Sequence, residues 1–109
     1  MAWLVRSDHV ISSLHRSSRR LTLVIKDRGE LGGDESTLLR RGSILLALRL
    51  DFGVFIVRLG KDGSITSLRY HRPGILPILV IAMKETFIVP QKIAEHSRLA
   101  LGDIFEVIE

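Results

Sequence analysis

The Asp62-Gly63 pair, within Leu59-Gly60-Lys61-Asp62-Gly63-Ser64, is the feature that most constrains this chain. It stands between two β-favouring runs, residues 54–58 and 65–70, and glycine there supplies the positive φ that a tight hairpin turn demands. An antiparallel pair is therefore expected. Upstream, residues 43–50 are equally dense in Ile, Leu and Val. Gly53 separates them from 54–58, the pattern of buried strand with a bend or bulge. In the arm 65–70, Ile65, Ser67 and Arg69 alternate with Thr66, Leu68 and Tyr70, so one face can be wet. His71-Arg72-Pro73-Gly74 then breaks the run into a loop.

Residues 78–83 and 86–89 read as further strands. Pro90 opens a short helix through about Ser97 with Ile93 on its inner face, Leu101-Gly102-Asp103 is a turn, and 104–108 is a last strand. The N-terminal third admits two readings. Residues 21–26 suit a strand, whereas Val10, Ile11 and Leu14 fall at helical spacing after Asp8. No repeat, low-complexity tract or linker divides the 109 residues. The expectation is a mainly β fold, a compact sandwich or barrel-like single domain over residues 1–109 with one or two short helices.

Composition narrows function by exclusion. With no cysteine among the 109 residues, disulfides, thiolate zinc sites and cysteine nucleophiles are ruled out. His9, His15, His71 and His96 share no metal-ligand spacing, so no metal and no cofactor is expected. No histidine lies near a serine or carboxylate in a nucleophile motif, and the reading leans away from an enzyme. Gly29, Gly32 and Gly33 precede Asp34 and Glu35, which would repel a phosphate, so they mark a turn. The N-terminus lacks the continuous apolar stretch of a secretory signal. The longest uncharged apolar run, residues 74–83, contains Pro77 and is about half of a membrane span. A soluble, cytoplasmic protein without membrane contact is expected.

The net charge is +4, with an isoelectric point near 10.1, and the excess is N-terminal. Arg16, Arg19, Arg20, Arg40 and Arg41 read first as a solvated charged surface and, alternatively, as a phosphate-facing nucleic-acid patch. Arg49 interrupts an apolar strand two residues before Asp51 and would share its face. Its favoured reading is a rim residue snorkelling to water, the alternative a ligand-binding arginine. His71 and Arg72, in a loop beside Pro73, complete the candidate ligand-binding set with Arg49. The apolar strands leave open a homodimer through a strand edge. Absent asparagine, a single glutamine and twelve arginines are the depletion of heat-labile side chains found in thermophile proteins. A melting midpoint above the mesophile range is the expected outcome, and one inside it removes the reading.

Residues 49–74, with Val54-Phe55-Ile56-Val57, Lys61-Asp62-Gly63 and Arg72-Pro73-Gly74, resemble the family called domain of unknown function 192, also uncharacterised protein family 0127. Val89-Pro90, the segment to Leu101, and Gly102-Asp103 resemble its later part, and Arg19-Arg20-Leu21 with Ser43-Ile44 its early part. The resemblance thus covers about 16–109, with 1–15 a family-variable segment. It implies a compact, mainly β binding or accessory module, the family having no established activity or cofactor. Leu45 and Leu46 stand where the family often has His-Thr, and Gly53 where it often has Asp. A second, local likeness joins Phe87-Ile88-Val89-Pro90, Ile93, Glu95–Leu99, Gly102-Asp103 and Phe105-Glu106-Val107 to the swapped-hairpin domain of AbrB-type transcription regulators, which implies DNA binding. Its usual Gly-Arg is here Glu85-Thr86. An unrecognised enzyme using Arg49, His71 and Arg72 is the third reading.

Overall fold

The computed structural model describes residues 2–17, 20–24, 34–48, 50, 52–74 and 77–109, with 22–24 as backbone alone. The fold is mainly β. Among the described residues the strands are β1 (Ala2–Arg6), β2 (His9–Ser17), β3 (Leu21–Val24), β4 (Ser36–Leu39), β5 (Ile44–Ala47), β6 (Val54–Leu59), β7 (Ile65–His71), β8 (Ile78–Ile81), β9 (Thr86–Pro90) and β10 (Phe105–Ile108). One helix among the described residues, α1 (Gln91–Ser97), follows β9.

Two sheets form, one in the order β10-β1-β2-β4-β9-β6-β7, the other β3-β5-β8. The chain alternates between them from β2 to β5, which makes β2–β4 and β3–β5 the two parallel pairs; the other pairs are antiparallel. The large sheet curls into a half-barrel. Its edge strands β7 and β10 approach at their ends, where Ser64 bridges Ile104 and the Phe105 N–H donates to the Gly63 carbonyl at 3.0 Å.

Curling gives the large sheet two apolar faces. Leu4, Leu14, Leu38, Val57, Phe87, Val89 and Phe105 fill the inside of the curl, with Ala94 of α1 closing it. Leu39, Val54, Ile56 and Ile88 face the other way and pack with Leu45, Ala47, Val80 and Ala82 of the small sheet. Strands buried on both sides carry no polar alternation, and all five residues of β9 are buried.

The hairpin forms as its turn chemistry dictates, with Gly63 at φ 83° and β6 antiparallel to β7. The bulge lies between Arg58 and Leu59, and Gly53 falls outside both neighbouring strands. Pro90 ends β9 opposite Val54 and caps α1, so the helix begins one residue later than Pro90.

One reading left open by the sequence is decided and one expectation is corrected. The helical spacing of Val10, Ile11 and Leu14 belongs to strand β2: Ser7 and Asp8 adopt positive φ of 49° and 67° and fold β1 onto β2 as a hairpin. His71 is not in the loop but ends β7, paired with Val54; the loop starts at Arg72. Among the described residues, no helix is long and apolar enough to cross a membrane.

Candidate functional site

A cleft of about 680 Å³ opens beside α1, lined by Phe52, Gly53, Pro73, Gln91, Lys92, Glu95 and His96. Its wall is tied together by a hydrogen-bond relay. The Tyr70 hydroxyl donates to Gln91 Oε1 at 2.9 Å, and Gln91 Nε2 donates to Glu95 Oε1 at 2.6 Å. The Gln91 N–H reaches the Gly53 carbonyl at 2.8 Å and clasps the start of the helix to the chain ahead of β6. Tyr70 is held from behind by the Phe55 ring, 5.1 Å away between centroids.

Gly53 makes this arrangement possible through space. A Cβ there would run into Gln91 Oε1 and the Tyr70 hydroxyl, so a side chain at 53 would push these exposed tips out of their present places.

A second cleft, of about 410 Å³, is lined by Tyr70, His71, Arg72, Pro77 and Ile78. Of the segment 70–73, Pro73 lines the first cleft and Tyr70, His71 and Arg72 line the second, so His71 and Arg72 do not share a cleft with Lys92 and His96 of α1. Leu50 and Gly74 exchange backbone hydrogen bonds of 3.0 and 2.9 Å, which fixes where the loop after Arg72 leaves. Arg49 and Asp51, and with them the expected pairing of the two, lie outside the described residues. The sequence singled out His71 and Arg72 here. It missed Tyr70, Gln91, Lys92, Glu95 and His96, for which the one signal was the helix-opening Pro90.

Basic residues gather at another end of the molecule. Arg16 and Arg40 line a cleft of about 300 Å³ with Ser17, Leu38 and Glu85. Arg41, Lys61, Met83 and Lys84 line one of about 650 Å³ that also reaches Glu85. Arg20 is joined to this end through its carbonyl, which accepts from the Ile44 N–H at 2.7 Å. Arg16 is ion-paired with Glu109. Arg19 lies outside the described residues, and Lys61 and Lys84 were not singled out by sequence. Among the described residues, no group of three or more His, Asp or Glu side chains could hold a metal ion.

No family model matches the chain, and no curated protein does. Two crystal structures share its fold. One is a "putative transcription regulator" from Sinorhizobium meliloti 1021, 13% identical, with a TM-score of 0.58 over 97% of this chain and 91% of that one. The other is a protein of unknown function from Novosphingobium aromaticivorans, 18% identical, with a TM-score of 0.55 over 96% of this chain and 82% of that one. At such identities the likeness is one of fold alone.

Proposed function

We propose that the chain is a non-enzymatic binding module of the domain of unknown function 192 family, whose ligand seat is the cleft between α1 and the segment 70–73. One observation carries the reading. Gly53 leaves the space that the Tyr70 and Gln91 tips fill, and the Tyr70–Gln91–Glu95 relay fixes the wall before any ligand arrives. Preorganised polar groups over an apolar floor, here Phe52 and Pro73, are the usual make-up of a small-molecule site. Lys92 lines this seat and Arg72 the adjoining cleft, and these two cations carry the expectation of a small anion.

Amide NMR titration with citrate and with inorganic phosphate tests this. Saturable shifts confined to Gly53, Arg72, Gln91, Lys92 and His96, lost in Lys92→Ala, are expected. Shifts scattered over the surface, or none with either anion, reject the seat.

A second reading, a DNA-binding regulator, rests on the gathering of Arg16, Arg20, Arg40, Arg41, Lys61 and Lys84 from separate stretches of chain. The description of the Sinorhizobium protein belongs with it. Its AbrB-type form is less well supported, because a swapped hairpin exchanges strands between chains, whereas β9 is paired on both edges within this one. Fluorescence anisotropy of a labelled duplex separates the readings: binding that survives near-physiological salt favours the regulator, and binding seen only at low salt leaves the cationic end a solvated surface.

A further inference from the structure

The small sheet turns one face to the large sheet and the other to solvent, and both faces are apolar. Outward stand Leu21, Ile44 and Ile81 in one cross-strand row and Leu46 and Leu79 in the next, following the registers Leu21–Ile44–Ile81 and Leu46–Leu79. Leu48 and Met83 continue the same parity just past β5 and β8. Leu21 is 62% exposed, Leu79 61%, Ile81 47% and Met83 76%. None of these seven side chains is charged or polar.

We infer that this outer face is covered by a second copy of the chain, packed sheet against sheet. Three observations commit the face to a like partner. The solvent-exposed parts of its side chains amount to roughly 600 Å² per copy, or about 1,200 Å² for a pair, the lower bound of stable specific interfaces and the upper end of patches tolerated on monomers. An uncharged face meets its own image without burying a like charge, which a two-fold interface would otherwise do twice. The strand composition is itself that of a sheet covered on both sides, Ile-Leu-Leu-Ala in β5 and Ile-Leu-Val-Ile in β8.

Arg20 precedes β3, Arg40 and Arg41 precede β5, and Lys84 and Glu85 follow β8, so charge borders the face at this end without interrupting it. The interface so inferred is a sheet face, distinct from the strand edge that the sequence left open.

Sedimentation equilibrium of the full chain from micromolar to millimolar concentration tests the inference. The expected mass rises from 12.3 kDa toward twice that value. Leu79→Lys stays monomeric with a dissociation constant raised at least ~100-fold, while Val10→Lys, which alters an exposed apolar residue on β2, dimerises as the wild type does. Circular dichroism checks that each variant folds, and Leu21→Lys, at an edge strand, replaces Leu79→Lys if that variant does not. A monomer at every concentration overturns the inference, as does a dimer that survives either lysine in a folded chain. Flotation of a monomeric wild type with phosphatidylserine vesicles also overturns it, assigning the face to a membrane surface.

Discussion

Strands β9 and β8 are close in composition, Thr-Phe-Ile-Val-Pro against Ile-Leu-Val-Ile, yet their surroundings differ. Every residue of β9 is buried, because the half-barrel interior covers one face and the small sheet the other. In β8, Val80 is buried while Leu79 and Ile81 are exposed. The same lack of alternation is satisfied within one chain in the first case and left half-satisfied in the second. On the inference that a second copy covers the outer face, the apolar pattern of β5 and β8 corresponds to one dry face more than a single copy provides.

Truncations on the two strands sharpen that contrast most. Phe87→Ala opens a cavity inside the curl and removes the edge-to-face contact with Phe105, 5.6 Å between ring centroids. Urea denaturation should show a loss of about 3–5 kcal/mol at any protein concentration. Gly53→Ala comes next. Its methyl group would push aside the exposed Tyr70–Gln91 pair, and a loss of at most about 1 kcal/mol is expected in the same assay, together with loss of the anion-induced NMR shifts. Leu79→Ala should change dilute-solution stability by less than about 0.5 kcal/mol while removing any concentration dependence of the melting midpoint. An equal effect of Phe87→Ala and Leu79→Ala in dilute solution would break the comparison.

The smallest effect belongs to the hairpin tip. Asp62 Oδ1 accepts from the Ser64 hydroxyl at 2.6 Å and from its N–H at 3.1 Å, and these bonds hold the exposed carboxyl below its ordinary value of 3.8. A depressed folded-state pKa adds stability that is fully present above the unfolded value and is lost as pH falls through the folded one. Asp62→Ala should therefore lower the melting midpoint slightly at neutral pH and leave it unchanged in acid below the folded value. A deficit that persists there assigns the effect to turn geometry instead of charge.

How far the fold is legible follows the turn chemistry. The β6–β7 hairpin is written in Asp62-Gly63, where glycine admits only a few turns. The β1–β2 hairpin is not, because Ser7 and Asp8 carry the positive φ without a glycine to announce it. In β2 the buried positions Ser12 and Leu14 are split between a hydroxyl and an apolar side chain, and Val10, Ile11 and Leu14 then mimic a helical stripe. The sites follow the same logic. His71 and Arg72 stand out beside Pro73, but Gln91 and Glu95 acquire meaning only when α1 is clasped to Gly53. Lys61 and Lys84 join the N-terminal arginines through a hairpin tip and a strand end that no local pattern links.

The central claim, that β5 and β8 lack a cover which β9 already has, is tested most directly by methyl NMR with a soluble paramagnetic agent. At millimolar protein, the account predicts that the Ile44, Leu46, Leu79 and Ile81 methyls are shielded as fully as those of Val57 and Ile88, and that dilution exposes the first group alone. Outer-face methyls that stay attenuated at every concentration would contradict it.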